Sequence, residues 1–100
     1  MSTSTHSVAA NYLQALLDRG IDYVFANAGT DTAPIIEALV AAKNAGVKTP
    51  EFLTVPHENV AISMAHGYFL ATGKPAAVMV HVTVGTANAL CGLMNAARDQ

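Results

Sequence analysis

Apolar residues recur along this chain with two periods that take turns. Val8, Leu13, Leu16 and Leu17 fall at helical spacing behind Ser7, a residue suited to capping a helix start, and Gly20 supplies a stop. Tyr23-Val24-Phe25-Ala26 is a short strand-forming run, broken by Asn27-Ala28-Gly29-Thr30. A second helix is predicted from about Pro34, favourable in a first turn, to Ala45, with Gly46 as its end. Residues 52–55 form the next predicted strand. A third helix begins near Glu58 and stops at Gly73, ahead of Pro75. Residues 76–80 are continuously apolar, the pattern of a strand covered on both faces. The last predicted element is a helix over residues 86–97.

Strands alternating with helices of this length define βαβ units, a parallel sheet and right-handed crossovers. The expected fold class is therefore α/β and doubly wound, with helices on both faces of the sheet. Three strands make a thin sheet, and the sequence stops soon after a helix, where another strand would be due. Residues 1–100 are thus expected to be an incomplete domain. In open α/β sheets, ligands bind beyond the carboxyl ends of the strands. That rule picks out residues 27–30, the pair His57-Glu58, and residues 81–86, and the unusual polar residues of the chain fall in these three places.

Composition narrows the picture. A hydrophobic fraction of 52% against 12% charged residues leaves few side chains suited to meeting water, as in a piece whose apolar helices pack on further protein. Gly67 and Gly92 sit inside predicted helices, where glycine costs about 1 kcal/mol relative to alanine. Two readings stand for them: a tight contact within this chain, or a subunit interface. A net charge of −2, carried on scattered residues, argues against nucleic acid and anionic membranes as partners. Residues 1–7 lack the pattern of a secretory signal, and no apolar run approaches the roughly 20 residues that span a bilayer. The single Cys91 has no disulfide partner in the sequence, and no Cys/His spacing suits zinc, so no metal site is assigned. A reduced, cytoplasmic setting is expected.

Glu58 is the residue that most needs a reason. It opens a helix, 58–65, with no other charged side chain, directly after an apolar strand. A carboxylate in such surroundings is either held by a partner or reserved for one. Its plain alternative is a first-turn acid that favours the helix dipole.

His57-Glu58, followed by His66-Gly67-Tyr68-Phe69-Leu70-Ala71-Thr72-Gly73-Lys74-Pro75-Ala76, resembles the pyrimidine-binding domain of thiamine diphosphate-dependent enzymes, the family of acetolactate synthase, pyruvate oxidase and benzoylformate decarboxylase. The resemblance extends back through residues 24–30 and forward through Gly85-Thr86-Ala87-Asn88-Ala89, covering nearly the whole chain. It implies that Glu58 contacts the ring nitrogen of the cofactor's aminopyrimidine and shares a proton with it in a dry cleft, readying the cofactor to attack a 2-oxo acid. It further implies that Ala28 and Gly29 approach the cofactor, and that Thr30 lies where a relative has a serine near the substrate carboxylate. Ala28 replaces the proline usual in that turn, and Asp31 stands beside Thr30.

His81 ends the third strand and is followed by Val82-Thr83-Val84-Gly85, where acetolactate synthases carry Gly-Pro-Gly. The pattern of His81, Gly85, Thr86 and Asn88 is closer to benzoylformate decarboxylase, which implies a catalytic His81 moving protons, work that suits an imidazole. His57 is expected to orient or pack, and His66 and His6 to be structural or solvated. The family holds the diphosphate through Mg2+ in another domain, with the site formed between subunits. The resemblance therefore implies thiamine diphosphate and Mg2+ as cofactors, the metal held outside this segment, and a homodimer or homotetramer. The function expected is the amino-terminal part of a 2-oxo acid decarboxylase of the benzoylformate type, with an acetolactate synthase-type carboligase as the alternative. A non-catalytic α/β binding or assembly module is the competing reading from another class, since a fold does not dictate function.

Overall fold

The computed structural model describes residues 7–99. The readings of residues 1–6, including His6, and of residue 100 lie outside the described residues. Ser7 caps helix α1, Val8–Asp18, by accepting from the Ala10 N–H at 3.1 Å, and Gly20 turns the chain with φ +80. Strand β1 is Tyr23–Ala26. A single 3-10 turn, Thr30–Thr32, leads into α2, Ala33–Ala45, which ends on Gly46 in the left-handed conformation. Strand β2, Glu51–Thr54, then hands over to α3, Glu58–Thr72, again stopped by a left-handed glycine, Gly73. Strand β3, Ala77–Met79, and α4, Val82–Asp99, complete the described chain.

All strand pairs are parallel, and the sheet order is β2-β1-β3. The chain moves one way from β1 to β2 and then crosses back over β1 to β3. Crossovers of one hand on either side of that reversal place their helices on opposite faces. The packing agrees: α1 lies on α2, and α3 lies on α4 and on β1 and β3. The α/β reading with a doubly wound parallel sheet thus holds. Phe25, Val55 and Ala61 form the buried centre beneath α3, with Tyr23, Tyr68 and Val78 packed around them. Tyr68 meets the edges of both Tyr23 and Phe25, with ring centroids 5.5 and 6.4 Å apart.

Two expectations shift. Residues 76–80 are only half-buried, because β3 is an edge strand whose far side has no neighbour among the described residues. The fourth helix begins at Val82, four residues before its expected start. The β-branched run Val82-Thr83-Val84 reads against a helix, yet the Gly85 N–H donates to the His81 carbonyl at 3.0 Å, closing a helical turn directly on the strand end. Val82 takes φ +50 to make that turn, the one positive φ outside glycine among the described residues. For a β-branched residue this conformation is strained by about 1–3 kcal/mol.

Candidate active site

The reversal in strand order opens a crevice between the carboxyl ends of β1 and β3, the place where doubly wound sheets bind ligands. Gly29, after β1, and His81, after β3, meet there. The contact is so close that a Cβ added to Gly29 would fall within the van der Waals radii of His81 Cγ and Nδ1, and only 2.5 Å from Cδ2. Gly29 has extended backbone (φ −141), so the space for the ring, not the conformation, calls for glycine. His81 is half-buried, and a shallow open depression lined by Val82, Thr83, Thr86 and Ala87 lies beside it. The turn holding Gly29 is pinned from three sides. Asn27 N–H donates to the Met79 carbonyl (2.8 Å), Asn27 Nδ2 to the Val55 carbonyl (3.0 Å), and Thr32 Oγ1 to the Gly29 carbonyl (2.6 Å). Ala28 and Thr30 are both exposed at the rim, as is Asp31.

Glu58 stands at the first turn of α3, beyond the end of β2. His57 caps this helix, its Nδ1 accepting from the Asn59 N–H at 3.1 Å. Glu58 Oε1 accepts from Asn88 Nδ2 on α4 at 3.3 Å. Oε2 lies beside Gly85, where an added Cβ would come within 3.3 Å of it. Its own backbone N–H and the Asn88 amide hold the carboxyl below the usual carboxylate range, against a smaller opposing effect of desolvation. The group is half-buried rather than enclosed in a dry cleft, and among the described residues it forms no ion pair.

The two helices that frame Glu58 are drawn together at Gly92. Its N–H donates to Asn59 Oδ1 at 2.8 Å, and a Cβ there would lie 2.8 Å from Ile62 Cγ2. Gly92 thus serves a contact within the chain, helix on helix. Gly67 does the opposite: nothing lies within 4 Å of a Cβ placed on it. The structure therefore brings Gly29 to His81 at one end of the crevice and Glu58 to Gly85 at the other. Residues 81–85 connect the two, since His81 and Gly85 belong to the same helical turn. Asn88 and Asn59 had no assigned part in the sequence reading. Asn88 lies within one helical turn of Gly85, yet the partner of each amide depends on how α3 crosses α4, which periodicity does not give.

His66 is remote from this site. Its Nε2 contacts Asp99 Oδ2 at 2.8 Å, beside a mostly apolar cavity of about 360 Å3 lined by Ile62, Phe69, Val78 and Leu93, among others. None of Glu58, His81, Thr30, Ala28 or Gly29 borders that cavity. No group of three or more His, Cys, Asp or Glu residues that could hold a metal ion is present among the described residues. Among the described residues no helix is long and apolar enough to cross a membrane.

The fold defines an α/β domain with a doubly wound parallel sheet. Residues 6–100 match the family described as the thiamine pyrophosphate enzyme, N-terminal TPP binding domain, and the chain belongs to that family. It is 36% identical over 93 residues to an acetolactate synthase large subunit of Haemophilus influenzae, covering 93% of this chain and 15% of that protein. It is 38% identical over 86 residues to a putative acetolactate synthase large subunit of Mycobacterium tuberculosis, covering 86% of this chain and 16% of that protein. A benzoylformate decarboxylase of Pseudomonas aeruginosa is 32% identical over 91 residues, covering 88% of this chain and 15% of that protein. The chain thus spans about a sixth of the length of the relatives it matches.

Proposed function

We propose that this chain is the pyrimidine-binding part of a thiamine diphosphate-dependent enzyme acting on 2-oxo acids. The observation that carries the proposal is the Glu58 carboxylate at the first turn of α3, in no ion pair among the described residues, with Oε1 on the Asn88 amide and Oε2 beside Gly85. A heteroaromatic ring nitrogen is the kind of partner that fits it: a planar base able to share one proton with a carboxylate. Thiamine diphosphate, when bound, supplies the electron sink for breaking the carboxyl-to-carbonyl bond of a 2-oxo acid. Glu58 would hold the ring and its proton. Gly29, Ala28 and the neighbouring backbone would flank the ring, and Thr30 would offer a hydroxyl to the substrate carboxylate. His81, fixed against Gly29, would move protons on the substrate side. The described residues offer no cluster of His, Cys, Asp or Glu for Mg2+, which would be held with the diphosphate by other protein.

Two reactions divide the family reading. Decarboxylation is favoured by the imidazole at position 81, where the benzoylformate decarboxylase-like pattern places a proton carrier. Carboligation is favoured by the acetolactate synthase relatives, whose identity to this chain is the higher of the two. The partner surface also bears on function. Val60, Met64 and Leu70 on α3, and Leu90, Leu93 and Met94 on α4, are each between 41% and 64% exposed, and Gly67 leaves room for another backbone. A second copy of the chain packing there would complete a site between subunits, as a homodimer or homotetramer. The free, exposed thiol of Cys91 accords with a reducing, cytoplasmic setting.

The test is product analysis with the full chain and a panel of 2-oxo acids, with and without thiamine diphosphate and Mg2+. Carbon dioxide release that depends on the cofactor is expected. An aldehyde product assigns decarboxylation, and a new carbon–carbon bond assigns carboligation. Indifference to the cofactor in binding and in turnover would leave the assembly-module reading in its place.

A further inference from the structure

We propose that Asn88 and Gly85 are positioning residues that divide the work of the two Glu58 oxygens: Asn88 ties down Oε1 from α4, and Gly85 keeps Oε2 clear as the oxygen left to meet a ring nitrogen. The inference rests on the proposed function for what Oε2 meets, but its first half concerns this chain alone. Three observations carry it. Asn88 Nδ2 reaches Oε1 at 3.3 Å, across 30 residues of sequence. A Cβ on Gly85 would stand 3.3 Å from Oε2 and 3.2 Å from Val80 Cβ, so a side chain at 85 would crowd the carboxylate on one side and Val80 on the other. The next rung down repeats the device. Asn59, the neighbour of Glu58, accepts from the Gly92 N–H at 2.8 Å, one helical turn beyond Asn88. Consecutive residues of α3 are therefore latched to successive turns of α4, which fixes the crossing that brings Asn88 to the carboxylate.

A neutral amide donor is the chemistry this task requires. A lysine or arginine at 88 would neutralise the carboxylate and compete with the ring for it, whereas an amide orients the group and leaves its charge available. The Asn88 contact also lowers the Glu58 carboxyl below its usual range, second to the bond from Glu58's own backbone N–H and ahead of the His57 charge.

The test uses the cofactor-free full chain. The carboxylate band of Glu58 is titrated by infrared difference spectroscopy, with Glu58→Gln as the subtraction standard, in wild type, Asn88→Ala and Asn88→Asp. Asn88 is exposed, so neither change disturbs a packed core. The midpoint is expected to rise in Asn88→Ala, with loss of the donor, and to rise further in Asn88→Asp, where a second carboxylate replaces it. Midpoints unmoved in both variants would overturn the inference, whatever happens to thermal stability. Thiamine diphosphate affinity is then measured by titration calorimetry in the presence of Mg2+. Asn88→Ala and Gly85→Ala are each expected to weaken it about tenfold. Wild-type affinity in Gly85→Ala would overturn the part given to Oε2. A moved midpoint together with wild-type affinity in Glu58→Gln would uphold the positioning of Oε1 and overturn the cofactor reading instead.

Discussion

Replacing Gly29 with alanine adds a net one carbon and two hydrogens, yet it should disable the His81 side of the site. The new Cβ would lie 2.5 Å from His81 Cδ2 and closer still to Cγ and Nδ1, where carbon contacts ordinarily settle at about 3.5–4.0 Å. The loop cannot retreat easily, because Asn27 and Thr32 pin it by three hydrogen bonds. The ring must therefore move by about 1 Å or rotate out of the crevice, and a displacement of that size costs turnover roughly 100-fold when the group acts on substrate. Backbone strain contributes nothing, since φ −141 is open to any residue. Steady-state turnover of Gly29→Ala, His81→Ala and the double variant on the accepted 2-oxo acid separates the causes. Because Gly29 acts through His81, the double variant should lose little beyond His81→Ala alone. Full turnover in Gly29→Ala, or losses that simply add in the double variant, would refute the reasoning.

Other consequences concern the helices and the charges. Gly92→Ala should destabilise the fold by about 1–2 kcal/mol in urea unfolding, since overpacking against Ile62 and Asn59 outweighs the gain in helix propensity. Gly67→Ala should stabilise an isolated protomer by up to about 1 kcal/mol while weakening self-association, read by analytical ultracentrifugation; unchanged association would remove Gly67 from the subunit contact. Acid should destabilise the protein in a defined window. Lys74 donates to Asp22 and holds that carboxyl below its usual 3.8, and Glu58 is held below its usual 4.5. Both groups contribute stability above those unfolded values and lose it as pH falls through their lower folded ones. Stability should thus be flat from pH 5 to 7 on their account and fall below about pH 4, and Lys74→Met should shrink the Asp22 part of that fall.

Much of the fold was legible because local chemistry and tertiary packing agree. Ser7, Gly46 and Gly73 mark helix ends by capping and by left-handed backbone, and those boundaries stand within a residue or two. Tyr23–Ala26 reads as a strand and lies at the centre of the sheet. The start of α4 was hidden because tertiary context overrides propensity there: the edge of the crevice holds Val82 at φ +50, a conformation its side chain disfavours. Glu58, His81 and Gly29 were singled out by their place beyond the strand ends and by the family resemblance, since Glu58 alone also reads as a first-turn acid favouring the helix dipole. What spacing could not give was partnership. That Gly29 makes room for His81, that Asn88 reaches Glu58, and that Gly92 serves α3 while Gly67 faces outward all follow from the crossing of elements distant in sequence.

The most direct measurement is cofactor-dependent turnover of Glu58→Gln beside wild type. The substitution keeps the shape of the side chain and removes its ability to take up and release a proton. Turnover should fall by a factor of about 10² to 10⁴, the range expected when an acid–base group is lost, with the far-ultraviolet spectrum unchanged. A variant that turns over at the wild-type rate would show that this carboxylate holds no proton for the reaction.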